Sequence, residues 1–373
     1  MQRFLFLAFC LSVMGEENID EDSMPDINEQ CKMENGGLGV CVPFYLCNDN
    51  NTLSVHGEFI IDIRSTKCQD YLNVCCAMPA QQNGDVDSDA DKYMQIDQNT
   101  EVYNSCGRRN SDGIVMRTIG DVDNETKFGE FPWVVAVLRE HSLGKSLFLG
   151  GGSLIHPKVA LTAAHLVNGT MWVRAGEWDS TTNKEIYSHQ QIVVADIVIH
   201  EKFNRANVHY DIAMLFLSSP MHLTVHVGVV CLPPPRTQPP VGTRCLSAGW
   251  GKDDFEKGRY QNILRKVEIA VVDHAACQKS LRTTRLGRHF KLHRSFMCAG
   301  GEADKDTCVG DGGAPLACPI LGEENRYVQT GIVSWGIGCG SKGLPGVYVD
   351  VAFVRSWIDD QMMAHHLETS TYT

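Results

Sequence analysis

From residue 106 onward the chain alternates short apolar runs with Gly, Pro and polar turns. The runs include Trp133 to Leu138, Val159 to Ala163, Ile192 to Ile199, Ile212 to Leu217 and Tyr327 to Ser334. Strands of this length and spacing predict an all-β barrel or sandwich. The stretch Val351 to Met363 differs. Its apolar positions Val351, Val354, Trp357 and Ile358 recur at helical spacing and predict one terminal amphipathic helix. Residues 77–105 include QQNGDVDSDADKYMQIDQNTE, which is acidic and nearly free of core formers, so they read as an extended linker. Residues 16–30 are an acidic leader, and residues 364–373 a tail.

The first fifteen residues follow another pattern. Arg3 precedes the apolar stretch Phe4 to Val13, and Val13-Met14-Gly15 closes it. That is the layout of a secretory signal peptide, and the run is too short to span a bilayer. The cysteines agree with secretion. Of 15, Cys10 leaves with the signal peptide and 14 remain, an even set suited to seven disulfides. Six of them, Cys31, Cys41, Cys47, Cys68, Cys75 and Cys76, fall within residues 31–76. A segment this short needs staples in place of an apolar core, and six cysteines alone allow 15 connectivities. The formal charge of −12 argues against nucleic-acid and anionic-membrane partners, which need clustered Lys and Arg. No HExxH or paired CxxC spacing marks a metal site.

Three strings carry candidate chemistry: Leu161-Thr162-Ala163-Ala164-His165, Asp211-Ile212-Ala213-Met214-Leu215, and the segment from Asp306 to Leu316, DTCVGDGGAPL. In this order, with Gly129-Glu130-Phe131-Pro132-Trp133, Gly249-Trp250-Gly251, Ser334-Trp335-Gly336 and Pro345-Gly346-Val347-Tyr348, they resemble the chymotrypsin-type serine proteases over residues 106–363. The resemblance implies a double β-barrel with a C-terminal helix. It also implies a triad whose nucleophile position is Gly312, where the family reads GDSGGP. His165 and Asp211 remain, but His165 has no hydroxyl to deprotonate, so the implied domain is not an enzyme. Gly310 and Asp311 match the oxyanion and activation segment. Asp306 matches the pocket-floor aspartate of trypsin-like enzymes, with Gly336 and Gly346 at the pocket walls.

Two departures accompany the missing serine. The stretch Met116-Arg117-Thr118-Ile119-Gly120-Asp121 lacks the IVGG-like start whose new amine pairs with the aspartate matching Asp311. The resemblance then predicts a disordered oxyanion loop or a substitute cation. The family's disulfide beside the histidine is also gone, because its positions are Gly150 and Leu166. The other cysteines match, implying Cys106–Cys231, Cys245–Cys318, Cys277–Cys298 and Cys308–Cys339.

The N-terminal cysteines, ending in a Cys-Cys pair, resemble the clip domains of arthropod proteins. That resemblance implies Cys31–Cys75, Cys41–Cys68 and Cys47–Cys76. GEFIIDIR at 57–64 and the entry at Phe128-Gly129-Glu130-Phe131-Pro132-Trp133 are similar to the masquerade-like homologues and prophenoloxidase-activating cofactors. The implied function is a secreted, non-catalytic regulator of melanisation, with prophenoloxidase or a clip-domain activating protease as partner. An inhibitory decoy of the venom type and a developmental adhesion or matrix protein are the alternatives, and Gly312 weighs against a residual hydrolase. Arg64 and Arg117 are the candidate cleavage sites. Asn50, Asn124 and Asn168 open N-x-Thr glycosylation signals. No cofactor is expected. Glu177-Trp178-Asp179 through Glu185 resembles a degenerate calcium loop, read as solvated.

Overall fold

The apolar runs close into two six-stranded antiparallel barrels in a computed structural model, which describes residues 30–32, 38–43, 73–77, 105–114, 124–141, 145–182, 185–252, 260–303, 311–338 and 342–373. The chain divides into two compact units, residues 1–86 and 87–373. In the first, β1 (Gln30–Lys32), β2 (Leu38–Pro43) and β3 (Asn73–Ala77) form an antiparallel sheet in the order β1-β2-β3. Cys31 and Cys41 there are buried and disulfide-bonded.

In the second unit, β4 (Val134–His141), β5 (Lys145–His156), β6 (Val159–Thr162), β7 (Met171–Ala175), β8 (Gln190–Ile199) and β9 (Ala213–Leu217) close in the order β4-β5-β6-β9-β8-β7. The second barrel uses β10 (Arg244–Gly249), β11 (Arg265–Val272), β12 (Phe296–Gly300), β13 (Pro315–Pro319), β14 (Tyr327–Trp335) and β15 (Pro345–Asp350), in the order β10-β11-β12-β15-β14-β13.

Burial explains why some runs alternate and others do not. Strand β7 alternates buried and half-buried positions, as a strand with one covered face should. Strands β6 and β9 are buried throughout. Along β9, Ala213, Leu215 and Leu217 face the first barrel's interior. Met214 and Phe216 join a second cluster with Trp133, Leu161, Ile332 and Val349, drawn from both barrels. A strand with core on both sides needs apolar residues at every position.

The terminal helix α2 (Val351–Ala364) is N-capped by Asp350, whose carboxylate accepts the Phe353 N–H at 3.1 Å. Its buried Val351, Val354, Ile358 and Met362 join the inter-barrel cluster. Residues 364–373 are not a loose tail. Tyr372 is fully buried, its carbonyl accepts Leu232 N–H at 2.8 Å, and its hydroxyl donates to Asp359 at 2.8 Å. The helix α1 (His274–Leu281) was not legible beforehand, since one buried pair, Cys277 and Leu281, is too short for a period. Disulfides join Cys106 to Cys231, Cys245 to Cys318 and Cys277 to Cys298. Cys75 and Cys76 lie on β3, Cys75 opposite Cys41 and Cys76 opposite Val40 in the strand register. The Cys308–Cys339 pair, Cys47, Cys68, the signal peptide, Asn50, Arg64, Arg117, Asp306 and Gly310 lie outside the described residues.

The two positions that lack the family's cysteines fit each other by size. A Cβ on Gly150 would lie 2.4 Å from the Gly312 carbonyl oxygen and 2.7 Å from Leu166 Cδ1. The leucine thus fills the space where a cross-link would stand. Gly150→Ala should cost about 1–3 kcal/mol by overpacking. At about 2–4 °C per kcal/mol the fall in Tm is readily seen by scanning calorimetry, and an unchanged Tm would contradict this packing.

Candidate active-site remnant

Strand register places the histidine and the aspartate together. In the antiparallel pair β6–β9, Thr162 lies opposite Ala213. His165 follows Thr162 in a 3-10 turn (Ala164–Leu166), and Asp211 precedes Ala213, so both emerge at the same end of the ladder. His165 Nδ1 lies 2.7 Å from Asp211 Oδ2, and the His165 backbone N–H donates to Asp211 Oδ1 at 2.9 Å. Ser334, on β14 of the other barrel, donates its hydroxyl to Asp211 Oδ2 at 2.6 Å. Asp211 is wholly buried, while the imidazole is 30% exposed toward the cleft. Three donors on a buried carboxylate fix its orientation and that of the ring.

Gly312 faces that ring. Its N-terminal neighbour Asp311 accepts Gly251 N–H at 2.9 Å on Oδ1. A Cβ on Gly249 or Gly251 would meet the Asp311 carboxylate at 2.3–2.5 Å, so both glycines are needed to admit it. Gly313 has φ +84° and donates its N–H to the Val333 carbonyl at 2.8 Å, which ties the turn to β14 beside Ser334. The Gly312 carbonyl accepts Gly151 N–H at 2.9 Å. A Cβ on Gly312 would stand 3.1 Å from His165 Nε2. The turn therefore holds position 312 beside the His165 ring with no side chain there. Asp311 and Gly312 are joined to this frame by these bonds.

Among the described residues, the nearest atom to a Cβ built on Gly336 is Gly338 O at 3.5 Å. Gly346 pairs with Ala299 across β15 and β12. Glu130, from the GEFPW string, is buried and gripped by Arg109 and by Lys266 on β11. Asn124 and Asn168 are exposed, and Asn168 Oδ1 accepts from Arg139 at 2.8 Å.

The loop from Glu177 to Glu185 brings a cluster of ionisable groups together with His189. Ligand atoms of Glu177, Glu185 and His189 lie within 4.8 Å of one another. Glu185 accepts Trp178 and Asp179 N–H groups at 2.9 and 2.7 Å, and burial pushes its carboxyl up to about 7. Glu177 Oε1 is buried without a hydrogen-bond partner, and Glu177 Oε2 binds Arg174 at 2.7 Å. Two carboxylates, one with an orphaned oxygen, are a donor set that fits a divalent cation. His189 brings a nitrogen ligand that sequence spacing did not reveal.

The trypsin family model matches residues 122–358. This chain belongs to the trypsin family. A second model, the serine protease Clip domain PPAF-2, matches residues 28–77, which makes the chain a clip-domain serine protease homologue. It is 57% identical over 279 residues to Phenoloxidase-activating factor 2 of Galleria mellonella, covering 72% of this chain and 92% of that protein. It is 37% identical over 332 residues to Inactive CLIP domain-containing serine protease A8 of Anopheles gambiae, covering 86% and 88%. Protein masquerade of Drosophila melanogaster matches at 34% over 270 residues, 71% of this chain but 24% of that protein.

In this homologue the buried Asp211 is a structural anchor. Ser334→Ala removes one of its three donors and should destabilise the fold by about 1–3 kcal/mol. Thermal unfolding checks this, and a Tm indistinguishable from wild type would contradict the anchoring role.

Proposed function

We propose that this protein is a secreted, non-catalytic regulator of the prophenoloxidase cascade, acting as a cofactor for prophenoloxidase or its activating protease. The observation that carries the reading is the complete His165–Asp211–Ser334 frame facing Gly312, which has no side chain. A cleft built this way retains the means to position a polypeptide and lacks the atom that attacks it. Similarity to a phenoloxidase-activating factor over 92% of that relative's length supports the pathway, and the relative named inactive supports the absence of turnover. The apolar start and the disulfides of both units support secretion. Among the described residues no helix is long and apolar enough to cross a membrane.

Arg64 is the proposed activating cut. It lies between Cys47 and Cys68, so cleavage would open the chain and expose Phe59, Ile60, Ile61 and Ile63 while those disulfides hold both ends. At Arg117, the other candidate, the Cys106–Cys231 bridge would hold the halves together. The test adds purified wild type or Arg64→Gln to prophenoloxidase plus its activating protease and follows phenoloxidase activity. Wild type should raise activity in proportion to dose, and Arg64→Gln should resist cleavage and lose the effect. A fall in activity with dose would establish an inhibitor in place of a cofactor. Equal support by the variant would exclude Arg64.

A further inference from the structure

A whole-chain charge of −12 conceals a lobe of the opposite sign. Residues 274–301 contain no Asp or Glu, and Lys279, Arg282, Arg285, Arg288, Lys291 and Arg294 recur at every third position. The segment begins on α1, and the Cys277–Cys298 disulfide closes it with the two Cα atoms 6.3 Å apart. The six cations are therefore gathered on one small lobe instead of being strung along an open segment. Local bonds hold its shape. Arg282 Nε donates to the Phe290 carbonyl at 2.8 Å, Leu292 N–H to Gln278 Oε1 at 3.0 Å, and Gly287 N–H to the Thr284 carbonyl at 3.0 Å. The other five cations are exposed, and among the described residues none of the five forms an ion pair. Like charges with no acid between them raise the local potential.

The positive surface continues onto the first barrel, on the loop between β8 and β9. The His293 ring stacks on His209 at 4.1 Å, and Tyr210 lies 5.2 Å from the same ring. Lys202 Nζ stands 5.8 Å from the Tyr210 ring, and Arg205 is exposed nearby on this loop. Its exposed acid, Glu201, lies 3.6 Å from His200. The acidic remainder of the molecule is screened beyond about 8 Å at physiological salt, so the lobe acts locally as a cation.

What the lobe lacks narrows its partner. Its apolar side chains turn inward: Leu281, Leu292 and Phe296 are buried with Val347, and Leu286 and Phe290 pack against them. Phe290 and Phe296 meet Trp335 edge-on, at 6.1 and 5.9 Å. Residues 274–301 expose no large apolar side chain. Nothing there can stack on a nucleic-acid base, enter a bilayer or anchor in a protein partner's pocket. A ligand for such a surface binds through closely spaced anions on a polar backbone. We propose that the lobe 279–294 binds a sulfated polysaccharide. Four of the six cations are arginines, whose planar fork meets two sulfate oxygens at once. A row of cations suits a polymer of repeated anions. Neutralising each sulfate releases condensed counterions, so binding falls steeply as salt rises. Binding of this kind does not depend on a role in the prophenoloxidase cascade.

Immobilised heparin and the full-length protein test the site, with Kd measured between about 50 mM and about 200 mM NaCl. Wild type should bind heparin, with log Kd rising linearly in log salt, and should not bind fully desulfated heparin. Arg285→Glu/Arg288→Glu alters only exposed side chains and should keep the wild-type Tm. It should weaken binding at least about tenfold and flatten the salt slope. Arg108→Glu/Lys158→Glu makes the same change of charge at two exposed positions outside the lobe and should bind as wild type does. A wild type that fails to bind heparin at about 50 mM NaCl overturns the proposal. A control variant weakened as much as the lobe variant, or equal binding of desulfated heparin, also overturns it. So does displacement of heparin by polyglutamate at equal charge concentration, through the same two arginines, since the lobe would then serve an acidic polypeptide.

Discussion

A carboxylate with no access to water must find its donors within the protein, and Asp211 sits where the two barrels meet. Two of its donors come from the β6 end of the first barrel and the third from β14 of the second. Satisfying this one group therefore fixes the relative position of the barrels at the cleft. The fully buried strands β6 and β9, the two-sided cluster around Leu161, Met214 and Ile332, and the short turn at His165 all serve the same geometry. A frame of this kind outlives the reaction it resembles, because folding depends on it whether or not a nucleophile is present.

The same logic accounts for Gly312. The turn around it is held by backbone bonds from Gly151 and to Val333, and by Asp311 lodged between two glycines. None of these contacts involves a side chain at 312, so the hydroxyl can be absent while the turn stays in place. The nearby exchange of a cross-link for Leu166 over Gly150 is likewise local: a larger side chain on the 3-10 turn is matched by none on β5.

Much of this was readable from the chain. The apolar runs gave barrel strands with ends shifted by a residue or a few, and the spacing of Val351, Val354 and Ile358 gave the terminal helix. The order of the His165, Asp211 and Gly312 strings gave the remnant site. What escaped has physical causes. The helix at 274–281 is too short to display a period. The last ten residues carry few apolar positions, yet Leu367 and the buried Tyr372 pack on the inter-barrel cluster and His365 stacks on Phe216. The Glu177–Glu185–His189 cluster depends on a loop folding back, which linear spacing does not encode. Asp311 is held in part by a backbone N–H at Gly251, a contact that no sequence string announces.

The central claim is that the cleft keeps the His165–Asp211–Ser334 frame and has no side chain at position 312 to react. The most direct measurement is turnover of Arg and Lys peptide substrates by the purified protein, before and after limited trypsin treatment and removal of the trypsin. In a triad that works as a unit, loss of the nucleophile costs roughly a million-fold, so the rate should remain at background throughout. Turnover that co-purifies with the chain and is abolished by a serine-directed reagent would contradict the account.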